Sequence, residues 1–525
     1  MAQLLDIFGY ISVLLRGFAL SLETLTVGGV LFQLLIARAK PVYRLLPWFA
    51  AALAMVQTAS LLLNSAILMD TTGMRWSALA GAGYFIAGSL VVLGAVGVGI
   101  SAQTRTAVLL GPVFCVAIVT GSVMSSHSVA RLEHRWAAIP FTVAHHVAGA
   151  MWIGGLLYLL LALRDQLHPS AVKLAERFSR AAVISVPVLI GAGAGLGFLY
   201  AGSAAALIGC TYGIMLLSKV ILTGVLLLLG ALNFRIVRAC GKDGAGLLPL
   251  RRFAEAELGL GFTVLLAAAS LTSTTPAIDV RADWVTPPEI VQRMRPHWPK
   301  MQTPAFAELS PVDPLGKTDQ TNLLRSFLPG QRAGSDGPAD IAWSEYNHHW
   351  AGLVVLAIGI LSLLARRMPW ARSWPLAFFG LAIFLFIRAD SENWPLGPRG
   401  FWESFQVAEV AQHRLFVVLI VVFAIFEWCV QTGRIAPHRA GLIFPLVCAA
   451  GGALLLTHSH FVSNVRKEYF AEMSHVPLAM LAAVAGWSRW LEIRLPTSYR
   501  QPLVAWVWPV CFVLIGGLLI AYREI

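Results

Sequence analysis

Apolar runs recur along the whole chain, separated by short polar stretches that carry Arg, Lys, Gly and Pro. Fourteen can be drawn, near residues 10–36, 46–69, 80–101, 107–124, 140–163, 181–201, 212–233, 255–275, 348–365, 374–389, 412–430, 441–458, 475–488 and 502–522. Most have the roughly 17 to 25 residues that a helix needs to cross a bilayer. Lipid offers no partner to a backbone N–H or C=O, so such runs must satisfy their own hydrogen bonds. The pattern predicts an all-α, polytopic membrane bundle of about fourteen transmembrane helices.

Lys and Arg orient this bundle, because short loops rich in them stay on the cytoplasmic side. The seven loops of one side hold 21 Lys and Arg, against 7 in the five short loops of the other. Both termini are therefore expected on the outer, periplasmic side. The first apolar run lacks a basic leader and a small-residue cleavage site, so it is expected to persist as a helix. Residues 276–343 form the one long polar stretch, with ten prolines among 68 residues. They read as an external linker. Four segments follow: N-terminal helices over 1–106, a second membrane module over 107–277, the linker over 278–343 and a six-helix module over 344–525.

Composition agrees with lipid as solvent, at 57% hydrophobic and 13% charged residues. The net charge of +12 follows from the loop bias and calls for no nucleic acid. Six cysteines stand singly without a CxxC, which argues against a disulfide framework or a zinc knuckle; they read as small apolar fillers. No Walker loop or sizeable cytoplasmic domain is visible, so neither an ATP-driven pump nor an enzyme is expected.

Histidine changes the picture. Eleven of the 13 fall on the outer side: His127, His134, His145, His146, His297, His348, His349, His413, His458, His460 and His475. Two adjacent pairs precede long apolar runs, in His145-His146-Val147-Ala148-Gly149 and His348-His349-Trp350-Ala351-Gly352. Neighbours on a helix point about 100° apart, so one member of each pair is expected to face the bundle. His127 closes the fourth run, His458 and His460 close the twelfth, and His475 opens the thirteenth. Imidazole suits zinc, copper, iron and nickel, and thioethers favour Cu(I). Met124, Met151 and Met473 stand beside these histidines, although each alone also fits as core filling. The linker adds Met294, His297 and Met301, and the acidic loop residues Asp390, Glu392, Glu403 and Glu409 either draw cations or simply face solvent.

Charges inside apolar runs are costly and point to function or pairing. Glu23 follows Arg16 by seven positions, which suggests a local pair, whereas Lys219 has no sequence-local partner and is expected either to act in the bundle or to meet a carboxylate from another helix. Gly191, Gly193, Gly195 and Gly197 follow Pro187 and read as a close-packing surface.

Taken in order, several residues resemble the copper resistance protein D family of bacterial inner-membrane proteins. They are His127, His145, then Trp152-Ile153-Gly154-Gly155, Arg177-Phe178-Ser179, Tyr212-Gly213, Lys219, Asn233 and Glu257, across about 107–277. The resemblance implies copper uptake from the periplasm, with copper as Cu(I) or Cu(II), and a separate periplasmic copper-binding protein as partner. It carries His127 and His145 as ligands; His146, His348, His349, His458, His460 and His475, with the three methionines, rest on the topology. A reading of another class also stands: a membrane electron carrier with a b-type haem held by axial histidines.

Overall fold

The computed structural model describes residues 2–37, 45–104, 107–165, 168–239, 246–295, 297–305, 308, 338–388, 394–397, 400–406, 408–457, 465–496 and 502–524. Every regular element among them is helical, and the protein is a polytopic helical membrane bundle. Ten helical stretches are long and apolar enough to span a membrane, and three shorter apolar helices join them among the described residues. The described parts of all fourteen apolar runs lie chiefly on helices, 475–488 falling within a longer one at Val465–Arg494.

The chain forms two compact units, one chiefly Met1–Trp284 and the other beginning at Val285. Unit 1 contains α1 (Ala2–Phe32), α2 (Leu46–Thr72), α3 (Gly83–Ser101), α4 (Ala107–Met124), α5 (Arg135–Gly149), α6 (Gly155–Asp165), α7 (His168–Ala201), α8 (Thr211–Ala239) and α9 (Leu247–Ser273). A π-helical turn, Ala150–Gly154, joins α5 to α6 without a break. Single π turns inside α-helices often mark functional positions. This turn packs backbone to backbone on α1: a Cβ added at Gly28 would lie 2.7 Å from the Gly154 Cα, and one at Gly154 would overlap the Thr24 carbonyl oxygen. Only glycine permits that approach.

Unit 2 contains α10 (Pro287–Arg293), α11 (Pro338–Leu364), α12 (Phe378–Arg388), α13 (Ala408–Gln431), α14 (Ile443–Leu455), α15 (Val465–Arg494) and α16 (Pro502–Ile520). Its core is aromatic, with Trp374, Phe444, Trp508 and Phe512 packed around Ile358. The first part of the linker is more ordered than its prolines suggest. Pro287 and Pro288 open α10, where proline's missing N–H costs nothing, and Lys300 is tied by its ammonium to Glu345 at 2.7 Å.

One expectation needs correction. The histidines read as preceding or opening apolar runs do not open their helices: His145, His348 and His475 each lie ten residues beyond the first residue of their helices, which begin at Arg135, Pro338 and Val465. At 1.5 Å per residue they are about 15 Å along the axis. Polar residues such as Ser344, Glu345 and Asn347 lower the local hydropathy without interrupting the helix, so the apolar run starts later than the backbone does.

Candidate functional site

Unit 1 gathers a polar cluster from three helices. Glu23 of α1 is 6% exposed. Its Oε1 accepts a hydrogen bond from His146 Nδ1 of α5 at 3.0 Å, and its Oε2 accepts one from Ser122 Oγ of α4 at 2.6 Å. The expected Arg16–Glu23 pair does not form; the Arg16 guanidinium instead donates to the Ser125 carbonyl at 3.2 Å. With the Nδ1 proton spent on a carboxylate, the His146 lone pair is on Nε2. That is the arrangement by which carboxylates orient metal-ligating imidazoles.

His145 turns to a different neighbour, its Nδ1 donating to the Leu189 carbonyl of α7 at 3.1 Å. The glycine run makes this possible, since a Cβ at Gly193 would lie 3.1 Å from the His145 ring and one at Gly195 would lie 2.8 Å from the Phe141 ring. Lys219 is half-buried on α8 in electrostatic range of His145, and no ion pair between it and a carboxylate is present among the described residues. Farther along α4, Cys115 is buried and in electrostatic range of Glu23. Tyr158 is also buried, and its hydroxyl has no hydrogen-bond partner.

His127 lies in a one-turn helix, His127–Ala130, and its Nε2 is buried with no hydrogen-bond partner. Burial, and then the charge of Arg16, hold this imidazole below its ordinary value. Met124, one turn before it, is 38% exposed, whereas Met151 is buried in the π turn.

Unit 2 has its own cluster. The His348 ring stacks on Tyr522 with centroids 3.8 Å apart, and His475 meets the same ring edge-on at 6.2 Å. Both histidines donate Nδ1–H to the carbonyl one turn earlier, His348 to Ser344 at 2.8 Å and His475 to Ala471 at 2.7 Å. Glu524 accepts from Ser344 Oγ and from the Tyr522 hydroxyl. A cleft of about 610 Å³, lined by Glu289, Gln292, Arg293, Arg523 and Glu524, shares that carboxylate.

His349 is different. Only 1% exposed, it accepts the Lys300 backbone N–H on Nδ1 at 2.8 Å, while Nε2 donates to the Tyr522 carbonyl at 3.0 Å. Both ring nitrogens are therefore used by the fold, and the expectation of His349 as a ligand does not match its geometry. Met473 is half-buried on α15. His458 and His460 lie outside the described residues, as do Asp390 and Glu392. No group of three or more His, Cys, Asp or Glu among the described residues is placed to hold a metal ion together. A second carboxylate buried in unit 1 is Glu257 of the family pattern, which accepts from Trp152 Nε1 at 2.7 Å and from Asn233 Nδ2.

These features define a multi-pass helical membrane protein with histidine and carboxylate side chains meeting between its helices. Residues 172–271 match the family model described as copper resistance protein D. The copper transport protein CutJ of Bacillus subtilis (strain 168) is 29% identical over 165 residues, 31% of this chain and 29% of that protein. The chain thus spans less than a third of that relative's length. Both matches bear out the resemblance to the copper resistance protein D family. The family match begins after His127, His145 and His146 and covers Lys219, Asn233 and Glu257. No solved structure matches.

Proposed function

We propose that this protein binds copper ions at histidines within its membrane helices and passes them inward across a bacterial inner membrane. Its termini would lie on the periplasmic side, as the loop charges indicate, and a separate periplasmic protein would deliver the ion. Copper is the cargo in this reading, and no chemical transformation is assigned.

The observation that carries the reading is a shared hydrogen-bond habit. His145, His146, His348 and His475, all buried to some degree about 15 Å into their helices, each direct Nδ1 at an oxygen acceptor. That fixes Nε2 as the lone-pair nitrogen in all four, the form a metal ion requires. Glu23 adds a negative charge beside His146 that offsets the cost of a cation in the membrane. Cys115 supports a Cu(I) preference in unit 1 because a thiol is a soft donor.

Under this reading His127, with its unpartnered Nε2, receives the ion and His146 with Glu23 takes it next by ligand exchange. The haem alternative gains no support from these positions. His145 and His146 diverge to different helices.

Uptake into proteoliposomes tests the proposal. Copper supplied outside is expected to enter vesicles holding the wild-type protein, and His146→Ala is expected to fall to the rate of protein-free vesicles. Equal uptake by wild type and variant would contradict the assigned route.

A further inference from the structure

Glu257 is a buried carboxyl of unit 1 that this copper route does not use. It is 2% exposed within α9, in the middle of unit 1. Its two oxygens face Trp152 of the π turn, Asn233 of α8 and the open position at Gly230, whose Cβ would lie 3.4 Å from Oε1.

On the helices packed against α9, none of Arg164, Lys173, Arg177, Arg180, Lys219, Arg235 and Arg238 forms an ion pair with Glu257, whose described side-chain partners are Trp152 and Asn233. Arg16 donates to Ser125, Glu23 pairs with His146, Arg177 donates to Ile36, and Lys219 stands by His145. On α9 itself Arg251 and Arg252 pair with Glu255. An ionised carboxylate without a cation is expensive inside a membrane. A proton is the one cation that needs no further ligands.

A second observation points the same way. Asn233 Oδ1 is buried and has no hydrogen-bond partner, although its amide nitrogen contacts Glu257. A carboxylate can accept from both Trp152 and Asn233 Nδ2. A protonated carboxyl also needs an acceptor for its O–H, and rotation of the Asn233 amide brings Oδ1 into that place. The amide is therefore built to serve either form.

We propose that Glu257 is an intramembrane proton-binding site, paired with Asn233 as a two-way hydrogen-bond partner and linked to the Glu23–His146 cation site through the π turn Ala150–Gly154. The step is a simple proton transfer. An O–H bond forms on a Glu257 oxygen as a proton arrives from water and breaks when the proton returns to water. Linkage follows from continuity: one helix carries His146, bonded to Glu23, and six residues later Trp152, bonded to Glu257. The turn between them rests directly on the α1 backbone next to Glu23. A cation bound at His146 that shifts α1 or the turn alters the Trp152 bond and so the hold on the proton. This linkage half rests on the copper reading; the proton site does not.

Infrared difference spectroscopy of the full chain in lipid nanodiscs tests both halves. Between about pH 4 and pH 9, the wild type is expected to show a protonated-carboxyl component that is missing from Glu257→Gln, the bands of the other buried carboxyls Glu345, Glu427 and Glu472 being common to both. Asn233→Leu is expected to keep the band and move its titration midpoint, which guards against a Glu257 variant that fails to fold. Copper added to wild type is expected to shift that midpoint. Identical titrating bands in wild type and Glu257→Gln, or the lack of any titrating band in wild type, would overturn the proton site. A titrating band that ignores copper in protein that binds copper would overturn the linkage. A titrating band in protein that binds no copper would defeat the copper reading and leave the proton site standing.

Discussion

Replacing Gly28 by alanine tests how α1 is held against the π turn. The added Cβ would lie 2.7 Å from the Gly154 Cα and 2.8 Å from its carbonyl carbon. Carbon pairs prefer about 3.5 to 4.0 Å, so the two backbones must part by nearly 1 Å. Neither contact atom is the end of a flexible side chain, so neither can swing aside. Overpacking of this kind costs about 1 to 3 kcal/mol, against which alanine's better helix propensity returns about 1 kcal/mol. The expected net effect is a destabilisation of up to about 2 kcal/mol. The same displacement would stretch the 3.0 Å Glu23–His146 bond beyond hydrogen-bonding range, because Glu23 lies little more than one turn from Gly28. Gly191→Ala is the matched control, since a Cβ there meets nothing within 4 Å. It is expected to stabilise by about 0.4 to 1 kcal/mol. Thermal unfolding of the detergent-solubilised protein, followed by tryptophan fluorescence, should therefore move the two midpoints in opposite directions. A Gly28→Ala protein as stable as Gly191→Ala would refute the close approach of α1 to the π turn.

Other outcomes follow from the same contacts. His349→Ala strands the Lys300 N–H and the Tyr522 carbonyl in a buried place and is expected to cost on the order of 3 kcal/mol in thermal stability. Copper bound per folded molecule should be unchanged; a loss of copper would show that His349 does more than hold the fold. His127 is held below the ordinary imidazole value by burial and then by Arg16, so its stability contribution has a defined sign. The unfolded chain takes up a proton near pH 6.5 while the folded one does so only at lower pH. Stability from this group is thus full above about pH 6.5 and falls as pH drops toward the folded value. The melting temperature of His127→Asn should depend less steeply on pH in that range, and an unchanged slope would count against this account. Glu23→Gln keeps the shape but removes the charge beside His146, and copper affinity by equilibrium dialysis should fall about 10- to 100-fold. Undiminished affinity would remove Glu23 from the site.

Hydropathy makes the helical bundle readable from the chain, because lipid imposes one rule on every span. Depth was harder to read. Glu345 and Asn347 look like loop residues in a hydropathy profile, yet they lie on the first turns of α11, and so His348 sits inside a span. Glu23 and His146 each attracted notice for their chemistry, but their meeting depends on α1 packing against α5, a contact 123 residues apart that no periodicity encodes. Arg16 was the sequence-local choice for Glu23, and the fold gives it to Ser125 instead. Glu257 came into view only through its place in an ordered family pattern, and its partners Trp152 and Asn233 carry no charge signal. The glycine run on α7 was legible as packing, although not that it makes room for the His145 ring.

The most direct test is a full metal panel by plasma mass spectrometry on the purified wild-type protein beside a His146→Ala/His348→Ala variant. Copper bound to the wild type and reduced in the variant is the predicted result. Iron without copper, or copper retained in full by the variant, would contradict a copper site built on these histidines.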